Sequence, residues 1–152
     1  MTDNILKNLT RADIEKLIPH RPPFLFIDKI HEIIKHRSAV GEKTFANNES
    51  FYQGHFPQEP VTPGVIIVEA MAQVACCMAI ASIGDIGDKV VYFVSIDGVK
   101  FRQKVLPNDT IIIKTKKIQS RGDIWKMTGE AWVEDKLCSE ASFIAMAADT
   151  PK

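Results

Sequence analysis

Residues 65–83, VIIVEAMAQVACCMAIASI, decide the fold of this chain. The three polar residues of this stretch are Glu69, Gln73 and Ser82. A helix built from it is therefore apolar on every face. Thr62 can cap such a helix, Pro63 suits its first position, and Gly84 follows its end. We predict one long helix, over about residues 63–82, that is buried on all sides.

The same stretch is long enough to span a membrane, so its charge pattern has to decide between two environments. Nineteen residues fall in the length range of a membrane helix. Glu69, however, lies well inside the stretch, where an ionisable side chain is costly in lipid. No cluster of lysine or arginine flanks either end. We therefore predict the core helix of a soluble protein and no membrane span.

Most of the remaining chain has the composition of β-strands. β-Branched and aromatic residues are frequent, and apolar residues recur at every second position in the C-terminal third. The predicted strands are residues 24–34, 38–46, 90–104, 110–118, 125–133 and a last segment that contains Ala141, Phe143 and Ala145. A short helix at about residues 10–17 precedes them. The prolines within residues 47–63 make that segment an ordered loop or short turns.

This order of elements implies one architecture. A helix that is apolar on every side must be enclosed, and one curved antiparallel sheet of about six strands can wrap around it. We therefore predict an α+β protein with a hot-dog fold, built as a single domain over residues 1–152. The open edges of such a sheet and its remaining apolar surface favour a dimer.

Composition and charge exclude several functional classes. The 152 residues are 45% hydrophobic and 25% charged, which is typical of a globular protein. Nineteen basic residues balance nineteen acidic ones, so we expect no dominant positive surface for nucleic acid. Three cysteines without a CxxC motif favour a reducing compartment, and the N-terminus shows no secretory signal. We expect a cytoplasmic protein.

Residues 51–73, FYQGHFPQEPVTPGVIIVEAMAQ, contain the groups best suited to chemistry. Burial on the apolar helix would raise the pKa of Glu69 and keep it protonated, as a general acid requires. Alternatively, Glu69 is a buried carboxyl held by Gln73 one turn away. His55, in a loop framed by glycine and proline, can act as a base near neutral pH, or it is merely exposed.

Gly64 has two interpretations as well. At a helix start, free N–H groups and the helix dipole stabilise negative charge on a carbonyl oxygen. A glycine there also permits close backbone packing. The four histidines have no metal-ligand spacing, so no metal is expected. A base, a buried acid and an oxyanion site together fit β-elimination of water next to a carbonyl group, or its reverse.

Three motifs resemble those of one enzyme family. LIPHRPPF at residues 17–24 is similar to its N-terminal signature, GHFP at 54–57 with PVTPGV at 60–65 and EAMAQ at 69–73 to its active-site signature, and ID at 96–97 with KFR at 100–102 to a later strand motif. On these residues the chain resembles the (3R)-hydroxyacyl-acyl-carrier-protein dehydratases of type II fatty-acid synthesis. Pro22, where tyrosine is usual, and Asn108, where glycine is usual, are two departures.

The resemblance implies a catalytic site and a mode of assembly. It implies that His55 is the catalytic histidine, that Glu69 of the other subunit is its acidic partner, and that the Gly64 N–H holds the thioester carbonyl. Family members are hot-dog dimers, often assembled as three dimers. Tyr92 matches an aromatic residue that gates the acyl tunnel in some of them. Glutamate at position 69, where isomerising relatives have aspartate, implies simple dehydration. No metal or organic cofactor is implied.

The charges are segregated although their total is zero. Residues 100–126 contain eight basic and two acidic residues. This segment is either a solvated strand face or, as the resemblance implies, a docking surface for the acidic acyl carrier protein that bears the substrate. We expect Lys100, Arg102 and Lys104 to be its contacts. Two other functions fit parts of the pattern: a hot-dog thioesterase that uses Glu69, and a non-catalytic scaffold that binds the acyl carrier.

Overall fold

The computed structural model describes residues 4–84 and 89–149, in which a single antiparallel sheet surrounds one long helix. The strands are β1 (Ile5–Leu9), β2 (Lys29–Ile34), β3 (Ser38–Thr44), β4 (Lys89–Phe101), β5 (Thr110–Arg121), β6 (Ile124–Val133) and β7 (Lys136–Asp149). The helices are α1 (Arg11–Leu17), α2 (Phe51–Gly54) and α3 (Gly64–Ile83). The strands lie in the order β1-β2-β3-β5-β6-β7-β4, and each neighbouring pair is antiparallel. The predicted α+β hot-dog fold is confirmed.

Helix α3 is the core of this fold, and its bounds agree with the predicted 63–82 to within one residue. Its middle section is buried against β3, β5, β6 and β7. The helix approaches β3 so closely that a Cβ at Gly41 would lie 2.8 Å from Val74 Cγ2. The helix is apolar enough to cross a membrane, yet 67% of that apolar window is buried inside the protein. Its hydropathy is therefore that of a core helix.

The sheet has seven strands, one more than the sequence predicts. The additional strand is β1, which pairs with β2 from Ile5 opposite Ile34 to Leu9 opposite Ile30. Asn8 within it has a φ of 55°, so the regular alternation of a strand is interrupted there. Backbone hydrogen bonds to β2 stabilise this segment. Its side chains do not alternate as those of a regular strand do, so the sequence pattern does not predict it.

The strand predicted at 24–34 begins only at Lys29. Just before it, the Phe26 N–H donates a hydrogen bond of 2.8 Å to the side chain of Gln73 on α3. The backbone there is bound to the core helix, so it does not continue the ladder of the sheet. The loop predicted over residues 47–63 consists of short turns, one of which is the four-residue helix α2.

Thr62 does not cap α3 as predicted, and Pro63 occupies the N-cap position instead. The Thr62 hydroxyl is buried and lies 2.6 Å from the Tyr52 hydroxyl, while its N–H donates to the Val105 carbonyl at 2.8 Å. A buried hydroxyl needs a hydrogen-bond partner, and for Thr62 this partner is the Tyr52 hydroxyl. The first amides of α3 therefore have no side-chain cap. These bonds tie the start of α3 to α2 and to the segment before β5.

Strand β4 lies at one edge of the sheet and carries exposed apolar side chains. Tyr92, Val94 and Ile96 are 42%, 60% and 47% exposed in the single chain. Gly98, with a φ of 59°, lies at a register shift against β7, so the strand is irregular at this glycine. An apolar edge strand of this length is a template for pairing with another strand.

Candidate active site

The imidazole of His55 is held in one tautomer by the loop that carries it. His55 follows α2 directly and is half-buried. Its Nδ1 lies 2.8 Å from the Val61 carbonyl oxygen. Because a carbonyl oxygen only accepts, the proton of the neutral ring must lie on Nδ1, which leaves the lone pair on Nε2. The histidine is therefore presented with Nε2 ready to accept a proton.

The residue after His55 has an unusual backbone conformation. Phe56 has a φ of 58°, a region that bulky side chains rarely adopt and that costs free energy. Its ring packs edge-on against the His55 ring, with 4.6 Å between the ring centroids. The imidazole is thus held by the Val61 carbonyl and by an aromatic neighbour, so His55 is more than an exposed loop residue.

The start of α3 lies beside His55 and carries amides outside the helical hydrogen-bond ladder. The first intrahelical bonds are donated by Ile66 and Ile67 to the Pro63 carbonyl, so the N–H groups of Gly64 and Val65 precede that ladder. A Cβ on Gly64 would lie 2.4 Å from a carbon of the Phe101 ring. The close-packing interpretation of Gly64 is therefore confirmed, while its oxyanion role stays a prediction.

His55 and Gly64 line one cavity of about 440 Å³. Most of its wall is apolar, and the apolar residues are Val61, Pro63, Val65, Ile67, Phe101 and Val105. Its polar wall includes Thr62, Arg102, Gln103, Lys104 and Ser139. A pocket of this kind suits an apolar ligand with one reactive polar group.

Glu69 lies in different surroundings, and the described residues that line this cavity do not include it. Its Oε2 accepts a hydrogen bond of 2.9 Å from Gln73 Nε2 and lies 3.7 Å from His20 Nε2. The side chain is 31% exposed in the single chain, so the carboxyl is less buried than the sequence predicts. The hydrogen bond from Gln73 that the alternative interpretation predicts is confirmed, the burial that it predicts is only partial, and the role of Glu69 as an acid stays a prediction.

His20 is a neighbour of Glu69 that the sequence analysis did not single out. It lies in the LIPHRPPF motif, and this motif is the feature of the sequence that could have identified it as a site residue. Its Nδ1 is buried without a hydrogen-bond partner among the described residues. On α3 itself, the pKa of Cys76 is raised to about 12, chiefly by burial and also by the charge of Glu69. His20, Gln73 and Cys76 therefore form the surroundings of the Glu69 carboxyl within one chain.

Arg102 and Lys104 belong to the wall of the His55 cavity, and each is paired with a carboxylate. Arg102 Nε lies 3.1 Å from Glu140 Oε2, and this hydrogen bond lowers the pKa of Glu140. Lys104 Nζ lies 3.7 Å from an oxygen of Glu59, and both side chains are mostly exposed. Lys100 lies opposite Glu140 in the β4–β7 register. The cations predicted to dock a carrier are thus partly neutralised within the chain.

The structure does not bring Tyr92 to this cavity within one chain. Tyr92 precedes Phe101 by nine residues on β4, which corresponds to about 30 Å along a strand. The residues that line the cavity in the described part of the chain include Phe101 and omit Tyr92. Tyr92 can gate the cavity only if it comes from another subunit, so its role stays a prediction.

Comparisons with known proteins show the family of this chain. The chain matches the FabA-like domain over residues 18–142. It is 45% identical over 138 residues to a 3-hydroxyacyl-[acyl-carrier-protein] dehydratase FabZ of Anaeromyxobacter dehalogenans, covering 90% of this chain and 88% of that relative. It is 45% identical over 136 residues to the protein of the same name from Granulibacter bethesdensis, covering 89% and 80% of the two chains.

A solved structure supports the fold independently of sequence identity. The dehydratase heterocomplex ApeI:P from Xenorhabdus doucetiae contains a chain that superposes with a TM-score of 0.76 at 10% identity, covering 90% of this chain and 91% of that one. At this identity the likeness shows the fold alone, while the family match and the two relatives above show the family. The chain belongs to the FabA-like family and, within it, to the FabZ group of 3-hydroxyacyl-[acyl-carrier-protein] dehydratases.

Proposed function

We propose that this protein dehydrates (3R)-hydroxyacyl chains, carried as thioesters on acyl carrier protein, to trans-2-enoyl thioesters in fatty-acid elongation. Its place in the FabZ group supports this activity. The single observation that carries it is the His55 Nδ1 contact with the Val61 carbonyl at 2.8 Å. This contact presents Nε2 as a base in an apolar cavity that also contains the start of α3.

His55 acts as the general base. Its Nε2 accepts the proton from C2 of the acyl chain, and the electron pair of that bond moves toward the thioester carbonyl. The backbone N–H of Gly64, at the positive end of the α3 dipole, stabilises the negative charge that develops on the carbonyl oxygen. The Phe101 ring, packed onto Gly64, keeps water away from this oxygen and thereby strengthens the interaction.

Glu69 of a second subunit supplies the acid. Its proton is transferred to the C3 hydroxyl as the C3–O bond breaks, so water leaves and the double bond forms between C2 and C3. At the end of the step His55 carries the C2 proton and Glu69 is ionised. The carboxyl of the same chain lies outside the His55 cavity, beside His20 and Gln73. This separation supports a site that is completed by a partner.

A homodimer is the unit that this site requires. The edge strand β4, with exposed Tyr92, Val94 and Ile96, is a surface that can extend the sheet into a second subunit. We propose that three such dimers assemble further and that Tyr92 gates the tunnel of another subunit. We also propose that the protein works in the cytoplasm, where its carrier-bound substrate would be held.

The acyl carrier protein is the proposed macromolecular partner. Its acidic surface would meet Lys100, Arg102 and Lys104, of which the last two line the cavity that contains His55. The carboxylates of Glu59 and Glu140 already pair with two of these cations, so docking exchanges internal ion pairs for external ones. Exposed pairs of this kind contribute little to stability, so the exchange costs little.

One incubation distinguishes the candidate functions. The protein is mixed with a trans-2-enoyl thioester of the carrier, and the products are separated by mass. Addition of water across the double bond, giving the 3-hydroxyacyl thioester, is the result expected of a dehydratase in reverse. Release of the free carrier thiol would instead identify a thioesterase, and binding without turnover would identify a scaffold. Either of these results contradicts the proposal.

A further inference from the structure

Gln73 is the most constrained polar side chain near Glu69. It is 1% exposed, and its amide takes part in three hydrogen bonds. Its Oε1 accepts from the Phe26 N–H at 2.8 Å, and its Nε2 donates to the Phe24 carbonyl at 3.0 Å and to Glu69 Oε2 at 2.9 Å. The two backbone partners are unambiguous, because one only donates and the other only accepts. The orientation of the amide is therefore fixed.

This fixed amide distinguishes the two oxygens of Glu69. Oε2 receives an N–H from Gln73, and His20 Nε2 lies 3.7 Å from the same oxygen. In a neutral carboxyl group the carbonyl oxygen is the stronger acceptor, so an N–H donor favours the tautomer in which the proton is on the other oxygen. The buried amide, which cannot ionise itself, thus selects Oε1 as the atom that carries the proton.

We propose that Gln73 is a positioning residue for dehydration, because it holds Oε2 of Glu69 as an acceptor and directs the transferable proton to Oε1. This inference rests on the proposed function, in which Glu69 is the acid. The segment Phe24–Phe26 has a corresponding role. Its backbone forms hydrogen bonds with the Gln73 amide instead of extending β2 toward the N-terminus. The LIPHRPPF motif, which ends at Phe24, is thereby connected through Gln73 to the Glu69 carboxyl.

The first test is the pH profile of kcat/KM for the variant Gln73→Met, which keeps the length of the side chain and removes its hydrogen bonds. The N–H bond to Oε2 is stronger when the carboxylate is ionised, so its removal favours the protonated form of the acid in the variant. We expect one limb of the profile to move to higher pH by about one unit, the other limb to stay, and the maximal rate to fall about tenfold. A lower rate with both limbs unmoved would show that Gln73 is only structural.

Two titratable groups in the described part of the chain interact with Glu69: His20, whose Nε2 lies 3.7 Å from Oε2, and Cys76, whose pKa is raised in part by the charge of Glu69. The Cys76 thiol, with a pKa of about 12, stays protonated throughout the useful pH range. The His20 imidazole lies 3.7 Å from the same oxygen of Glu69, so the Gln73→Met comparison is repeated in a His20→Gln background. The shifted limb must persist there. If it vanishes, the imidazole and not the Gln73 amide controls the acid, and the proposal is overturned.

A second measurement needs neither turnover nor a stable Gln73 variant. In the unmodified protein, the side-chain amide resonances of Gln73 are followed by NMR as the pH is changed. We expect them to titrate with the Glu69 carboxyl and to stop doing so in Glu69→Gln, whose neutral amide can still accept from Gln73. Gln73 amide resonances whose chemical shifts do not change with pH would contradict the proposal. An enzyme that does not dehydrate would contradict only the proposed function, since this coupling can be read without activity.

Discussion

His55 and Glu69 are fourteen positions apart in the sequence, yet the fold holds them in contrasting ways. His55 lies on a loop beside a strained phenylalanine, and one bond to a backbone carbonyl fixes its tautomer. Glu69 lies on the core helix, and its bond comes from a buried amide that is itself bound to two backbone groups. The base lines an apolar cavity, and the acid lies outside it.

The contrast shows that one chain contains two half-sites. The loop half has a base and a helix N-terminus but no acid within the described lining of its cavity. The helix half has a carboxyl in a polar network of its own, with His20 as a neighbour. Each half is preorganised separately, so a functional site forms when the loop half of one subunit meets the helix half of another.

Removal of either half should have the largest effect. We expect His55→Ala and Glu69→Gln each to lower kcat at least about a hundredfold, because each removes one proton-transfer group. Glu69→Gln keeps an oxygen that can accept from Gln73, so it removes the acid with little change in packing. Turnover of carrier-bound 3-hydroxyacyl substrate is measured beside thermal unfolding. A variant that folds normally and keeps near-full rate would not carry the assigned role.

Mixing the two inactive variants tests whether the half-sites meet between chains. Subunits of His55→Ala and Glu69→Gln are exchanged by mild denaturation and refolding. Each hybrid dimer then has one site with both groups intact and one site with neither. Random exchange makes half of the dimers hybrids, so we expect about a quarter of the wild-type activity to return.

The exchange itself has to be demonstrated for this result to be decisive. Differently tagged subunits, captured on one tag and detected through the other, show whether hybrids have formed. Hybrids that form and stay inactive would place His55 and Glu69 in the same site of one chain. A mixture of either variant with itself, treated identically, sets the background rate.

The parts of the molecule that depend on local pattern were predictable from the sequence. The apolar run after Pro63 predicts α3, because a helix that is apolar on every face must be enclosed by the rest of the fold. The short helix predicted at about residues 10–17 is α1, which begins with a capping box at Thr10. Asn108, where glycine is usual in the family, has a φ of 71°, a conformation that asparagine tolerates better than most residues. The candidate base, helix start and acid were all identified as residues, although their roles remain predictions.

The parts that depend on tertiary hydrogen bonds were not predictable. β1 is held by backbone pairing with β2, and the Thr62 hydroxyl is bound to Tyr52 instead of the helix amides. The link from Gln73 to Phe24 and Phe26 joins positions 47 to 49 residues apart. Such contacts leave no periodic signal in the sequence, because a buried polar group can form a hydrogen bond with any suitable group that the fold brings near it.

Gly64→Ala tests the helix start of the loop half. A Cβ there would lie 2.4 Å from the Phe101 ring, so the ring must move. Because that ring is 57% exposed, it can swing outward, and we expect the protein to lose only about 1 kcal/mol of unfolding free energy. Turnover should fall about tenfold as the oxyanion becomes more exposed to water. Both quantities come from a denaturant titration and from initial rates.

Gly54→Ala is the matched control, since a Cβ there would meet no atom within 4 Å among the described residues. It adds the same methyl group one residue before His55. We expect near-wild-type turnover and stability from it. Equal losses in the two alanine variants would mean that the Phe101 contact with Gly64 has no special place in the reaction.

The smallest effect concerns the charges at the rim of the loop half. We expect Arg102→Glu with Lys104→Glu to raise KM for the carrier-linked substrate several-fold, because repulsion slows encounter with an acidic partner. The rise should be largest at low salt. KM for a short pantetheine thioester should change little, since that substrate has no acidic protein surface. The matched control, Lys7→Glu with Lys16→Glu, makes the same change in net charge at exposed positions of β1 and α1, outside the basic segment. Equal effects from the two double variants would mean that net charge, and not a surface beside the His55 cavity, governs the encounter. Equal losses on the carrier-linked and the pantetheine substrate would mean that Arg102 supports the site through its bond to Glu140.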